Sequence, residues 1–126
     1  MTWPALLVLA ALATVFLVRL AGHVTTFRVS GESMRPTLLD GDFLLVRTTA
    51  AVAAGEIAVL RDPRAPDREL VKRVISRDED GLYVLGDNPA ASTDSRQLGS
   101  LPADKIVGSV LLRYWPPGRL RWFGNQ

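Results

Sequence analysis

The sequence contains no cysteine and a single histidine, His23. Disulfides, thiolate nucleophiles, Fe–S clusters and cysteine-type zinc sites are therefore excluded. A histidine triad or a multi-histidine metal centre has almost no material, so neither a metal nor any other cofactor is expected. Lysine is nearly as scarce: of 15 basic residues only Lys72 and Lys105 are lysines. An excess of one charge is missing as well. The 13 acidic residues leave a net charge of only +2, without the concentrated basic face that a nucleic-acid partner requires. With 126 residues there is room for one small domain.

Acidic residues are absent before Glu32, and the first basic one is Arg19. From Pro4 to Val18 the chain reads PALLVLAALATVFLV, where Thr14 is the only polar side chain. A bilayer core of about 30 Å takes roughly 20 such residues in a helix. Trp3 suits the headgroup layer at one end, and Arg19 can snorkel at the other. The opening MTWP lacks the basic start of a cleaved signal peptide. Residues 1–23 are thus expected to be a single transmembrane anchor. Arg19, Arg28 and Arg35 follow the span and nothing basic precedes it, which biases the remaining domain towards the cytoplasmic side.

After the anchor the pattern changes to short apolar runs punctuated by turns. Strands are expected over 25–29, 43–46, 57–61, 69–77, 82–86 and 105–115, with Asp40-Gly41 and Asp78-Glu79-Asp80-Gly81 as turns. Residues 62–68 (DPRAPDR) read as a proline-broken loop, and 86–104 as a long loop. The expected fold class is mostly β, a sheet or barrel domain over 24–115 preceded by the helix, with 116–126 as a basic-aromatic tail. The C-terminal stretch 113–123, which runs into that tail, mixes Trp115, Trp122 and Phe123 with Arg113, Arg119 and Arg121, a composition that suits either a lipid interface or a solvated end.

Three segments carry reactive side chains. Ser33 sits in Ser30-Gly31-Glu32-Ser33-Met34-Arg35-Pro36-Thr37-Leu38, a turned stretch able to expose a hydroxyl and free N–H groups together. A serine needs a base to become a nucleophile. Lys72, within Glu69-Leu70-Val71-Lys72-Arg73-Val74-Ile75, shares a strand face with Leu70 and Val74. Lysine avoids such a face. It is therefore either an edge residue reaching water or an amine desolvated into a base. The third segment, Gly86 to Arg96, is rich in Asp and Ser that bond their own backbone.

Taken together, Ser-Met-Arg-Pro-Thr-Leu at 33–38, Gly41-Asp42, Lys72-Arg73 and Gly86-Asp87-Asn88 with Ser92, Asp94, Ser95 and Arg96 resemble the type I signal peptidase family of serine/lysine proteases. The resemblance spans about residues 25–115. It implies a signal-peptidase-like β catalytic domain in which Ser33 is the nucleophile and Lys72 its base. Ser92 would orient the lysine, and the Ser33 N–H would stabilise the oxyanion. Met34, Pro36, Arg73, Asp87, Asp94 and Arg96 match positions that support the site, with Asp94–Arg96 as an ion pair and Asp87 opposite Arg73. The implied partner is a precursor polypeptide with an N-terminal leader, bound as an extended strand, at a bacterial cell membrane. Gly31 stands where some members carry a hydroxyl, so a second oxyanion donor is unassigned. The short Lys72–Gly86 interval also resembles the nickel-superoxide-dismutase maturation proteases of the family, which would narrow the substrate to that enzyme's pro-sequence. A self-cleaving regulator of the same Ser/Lys architecture and a non-catalytic membrane-tethered β module remain as other classes.

Overall fold

A computed structural model describes residues 2–124. Helix α1 runs from Trp3 to Ala21. Its leucine- and alanine-rich sequence favours helix, and Pro4 falls in the first turn, where a missing N–H costs nothing. At ~1.5 Å per residue it is about 28 Å long. Thr14, its one polar residue before Arg19, donates its hydroxyl to the Ala10 carbonyl (2.9 Å). None of Trp3–Leu20 is buried in the protein, so α1 is no core helix. It is long and apolar enough to cross a membrane.

The rest of the chain is one antiparallel sheet: β1 (Val24–Arg28), β2 (Phe43–Thr48), β3 (Ile57–Asp62), β4 (Ala65–Asp78), β5 (Gly81–Leu85), β6 (Ile106–Trp115) and β7 (Arg121–Trp122). The order is β1-β2-β6-β3-β4-β5, with β7 paired to β6. A mostly β domain behind one apolar helix is thus what forms. Alternation along β2 turns Leu44 and Val46 inward, where they join Val29, Met34, Leu38, Ile57 and Val110. A second cluster gathers Leu60, Val74, Leu82, Val84 and Leu101.

The sheet curls until its first strand faces β4. Thr25, Thr26 and Phe27 of β1 and Pro66, Asp67 and Glu69 of β4 line opposite sides of one cleft. Among the described residues both bordering edges are unpaired there: β1 bonds only β2, and β4 bonds β5 only from Arg73 onward.

Residues 62–68 are not the loop expected of them. Asp62 already pairs with Ala65, so only Pro63 and Arg64 make the turn and β4 begins at once. Pro66 is tolerated because a free edge needs no N–H there. The 86–104 stretch is likewise more ordered than its composition suggests. It holds two short 3-10 turns, Pro89–Ala91 and Ala103–Lys105, and a one-turn helix α2 (Ser95–Leu98). Asp94 and Gln97 cap α2 reciprocally. Residues 116–124 fold back on the sheet: Arg121 and Trp122 pair with Arg113 and Leu112, and Phe123 is buried in the core.

Candidate active site

The Ser33 segment joins β1 to β2 as a compact turn. Arg35 N–H donates to Glu32 O, and Leu38 N–H to Met34 O (2.9 Å). Met34 and Leu38 anchor it, both almost wholly buried, whereas Pro36 is exposed. The segment is then tied to the chain beyond β5. Asn88 donates its backbone N–H to the Ser33 carbonyl (2.8 Å) and its Nδ2 to Glu32 O (3.0 Å). Thr37 Oγ1 donates to Asp87 Oδ2 (2.6 Å), and the Asp87 N–H approaches the Met34 sulfur (3.4 Å). Ser33 itself is half-buried, and its hydroxyl and backbone N–H have no hydrogen-bond partner among the described residues.

Lys72 is 3 % exposed. Its cross-strand neighbour in β3 is Ala58, whose single methyl leaves room for the long stem on that face. Burial pushes the amine below the ordinary lysine value; the Asp94 charge opposes this, and Arg96, Arg64 and Arg68 reinforce it. The amine donates to Ser92 Oγ (3.0 Å), and Ser92 in turn donates to Asp94 Oδ2 (2.7 Å). Because the one Ser92 proton is committed to Asp94, its oxygen can only accept from the amine. A neutral amine then keeps its lone pair for the cleft.

Asp94 is fully buried and accepts from five directions. The donors are Gly86 N–H, Ser92 Oγ, Arg96 N–H, Arg96 Nε and Arg96 Nη2. Burial alone would raise its pKa; the bonds from Arg96, Gly86 and Ser92 outweigh it and hold the carboxyl far below the usual range. Arg73 grips Asp87 with two parallel bonds (3.0 and 2.9 Å) and adds a third to Gly55 O. Asp87 follows the same logic: burial is outweighed by Arg73 and Thr37, so it stays ionised.

The structure therefore gathers the residues singled out from sequence. Ser33 and Lys72 line one cleft of about 460 Å³, together with Ser30, Ala91 and Thr93. Ser92 and Asp94 stand behind the lysine; Met34, Arg73 and Asp87 stand behind the serine. His23 lies at the other end of β1, its carbonyl bonded to Thr48 N–H. Gly31 N–H is taken by Asp40 Oδ1 (2.8 Å) and is not a free donor.

Sequence reasoning missed two features. Arg64 and Arg68 also line the cleft, Arg64 being held bidentately by buried Asp62. Only the true start of β4 brings them there. Gly86 is packed between the two halves: a Cβ on it would fall 2.6 Å from the Ser33 carbonyl oxygen and closer still to Ser92 Oγ. The glycine was visible in the Gly-Asp-Asn motif, but its neighbours were not. Among the described residues no cluster of metal-ligating side chains occurs.

The family model described as "Peptidase S24-like" matches residues 8–111. The mitochondrial ATP-independent inner membrane protease subunit 1a of Arabidopsis thaliana is 33 % identical, with 81 % of this chain and 75 % of the relative covered. The mitochondrial inner membrane protease subunit 1 of Schizosaccharomyces pombe is 31 % identical over 82 % of each. The chloroplastic thylakoidal processing peptidase 1 of Arabidopsis thaliana is 49 % identical over 39 residues, 31 % of this chain and 12 % of the relative.

Proposed function

The chain belongs to the Peptidase S24-like family, among its signal-peptidase-like proteases, and from that premise we propose that it is a membrane-anchored serine endopeptidase that removes N-terminal leader peptides. The observation that carries the reading is a dehydrated lysine, its amine aimed by Ser92, lining the same cleft as an unengaged serine hydroxyl.

In this reading the Ser33 oxygen attacks the scissile carbonyl while neutral Lys72 takes the hydroxyl proton. The Ser33 N–H stabilises the oxyanion. Collapse breaks the C–N bond, and the Lys72 ammonium returns the proton to the leaving amine. Water, deprotonated by Lys72, then hydrolyses the Ser33 ester and restores the starting state. The backbone edges of β1 and β4 supply hydrogen bonds for an extended leader lying in the cleft between them, which meets the Ser33–Lys72 cleft at Phe27 and Glu69. Asp94–Arg96 and Arg73–Asp87 hold the two reactive segments in place.

The relatives are named for mitochondrial and thylakoid membranes, so they support a membrane setting without supporting a bacterial one. The same chemistry serves the narrower reading, removal of the pro-sequence of a nickel superoxide dismutase. What favours it is the arginine bias towards a cytoplasmic domain. One experiment separates the readings. The full chain in vesicles is incubated with a secretory precursor and a dismutase precursor, as wild type, Ser33→Ala and Lys72→Ala. The expected result is cleavage of the secretory precursor, lost at least ~10³-fold in each variant. Cleavage of the dismutase precursor alone selects the narrower reading, and cleavage persisting in both variants refutes the dyad.

A further inference from the structure

Arg64 and Arg68 line the Ser33–Lys72 cleft, yet the proposed reaction uses neither. The pairing of β3 with β4 explains how they reach it. Arg61 faces Glu69, but the next β3 residue, Asp62, faces Ala65. One step along β3 is thus matched by four along β4, and Pro66, Asp67 and Arg68 are extra. A bulge of this kind bends its strand and re-aims side chains. It brings Arg64, eight residues from Lys72 in the chain, to the same cleft as the amine.

The two guanidiniums are held differently. Arg64 is locked: Nε and Nη2 donate to Asp62 Oδ1 and Oδ2 (3.0 and 2.9 Å), and its backbone N–H donates to Oδ1 (2.9 Å). Asp62 is buried, so the clamp is part of the fold. The remaining nitrogen, Nη1, carries two donors and has no partner among the described residues. Arg68 is exposed, and among the described residues it has no ion-pair partner. Of the carboxylates at the cleft, Glu32 is paired with Arg35 (2.9 Å) and Glu69 stands opposite Arg61 in the ladder. Both cations lie near enough to Lys72 to disfavour its charged form. A guanidinium fixed in one plane, with a second cation in the same cleft, suits a carboxylate.

We propose that Arg64 and Arg68 form a subsite for a carboxylate side chain of the polypeptide substrate, an aspartate or glutamate three to five residues before the scissile bond. The spacing comes from β4. Arg68 precedes Lys72 by four residues, at most about 13 Å of strand, and an extended substrate covers that distance in the same number of residues. The side comes from the slot that takes the leader, which is bordered by Pro66 and Asp67 at the same start of β4. Its place relative to the cut rests on the peptidase reading; the binding of a carboxylate does not.

The full chain in uncharged detergent is given a series of leader peptides. In each, a single aspartate, or asparagine as its neutral match, stands at one position from five residues before the cut to five after it. Aspartate three to five residues before the cut should raise kcat/KM about tenfold over asparagine, mainly through KM. Equal values for each pair, or a maximum after the cut, overturn the subsite. Arg68→Gln should bring the aspartate/asparagine ratio within about twofold. Because the ratio is taken within one enzyme, any effect of the lost charge on Lys72 cancels. A ratio unchanged in Arg68→Gln overturns the proposal. Arg64→Gln should lower it too; that variant strips buried Asp62 of its partner, so Arg68→Gln decides where Arg64→Gln does not fold. Arg68→Glu should turn the preference towards lysine at the same position. Binding of the labelled peptides to Ser33→Ala, read by fluorescence anisotropy, keeps the two readings apart. Aspartate preference in binding with no cleavage by wild type refutes the peptidase and leaves the subsite standing. Cleavage without aspartate preference does the reverse.

Discussion

Replacing Gly86 by alanine tests how the two reactive segments are kept together. The added Cβ would lie 2.6 Å from both the Ser33 carbonyl oxygen and Ser92 Cβ, and closer to Ser92 Oγ. Ordinary contacts at such atoms are about 3.5 Å, so something must move by roughly 1 Å. The Ser33 carbonyl is held by the Asn88 N–H, and Ser92 by Lys72 and Asp94, so both neighbours resist. Overpacking of this kind costs about 1–3 kcal/mol, worth a fall in Tm of roughly 4–8 °C per kcal/mol in a domain this small. The displacement falls between Ser33 and Lys72, the nucleophile and base of the proposed mechanism, where 1 Å costs about 10²-fold in rate. The assay is peptide cleavage beside thermal unfolding in the same detergent. Gly118→Ala is the control, because nothing lies within 4 Å of a Cβ there; it should leave both readings unchanged. If Gly86→Ala retains wild-type kcat/KM and Tm, the wedge between Ser33 and Ser92 is not a constraint and the described packing is wrong.

The charges of Lys72 and Asp87 carry the remaining outcomes. With Lys72 as the proposed base, its depressed amine should make cleavage rise with pH, with a midpoint below the ordinary lysine value; a flat profile from pH 5 to pH 9 refutes it. Between that midpoint and the ordinary value the unfolded chain binds a proton that the folded chain does not, so stability also rises with pH. Lys72→Met should abolish cleavage, remove that rise, and leave the domain at least as stable at pH 7 by urea titration. Asp87→Ala strips Arg73 of a bidentate partner and Thr37 of its acceptor. It should lower stability by about 1–3 kcal/mol, read as a lower urea midpoint. Since burial of Asp87 is outweighed by Arg73 and Thr37, its contribution is complete above the ordinary aspartate pKa and fades as acid protonates it. Asp87→Asn should therefore flatten the acid limb of the stability curve.

The strands were legible because alternation and turn residues are local signals. The helix was legible because nothing interrupts its apolar run. Lys72 was ambiguous for a physical reason: one strand's pattern does not reveal that Ala58 lies opposite or that Ser92 waits behind. Pro66 and its charged neighbours disguised the start of β4, since composition marks a loop and cannot register a free edge. Asp94 was legible as the ion-pair partner of Arg96, but its five donors converge only in three dimensions. Composition placed Phe123 in a tail lying on lipid or in solvent; the return of β7 gives it a place in the core.

A slot bordered by two unspent strand edges sorts polypeptides by conformation before it sorts them by side chain. A segment already woven into a finished domain has spent its amides and carbonyls internally and offers the slot nothing. An unstructured stretch offers both sets at once. For the leader peptidase proposed above, processing is then confined to the interval before the precursor folds around its own junction, and a precursor that matures faster than it docks escapes cleavage.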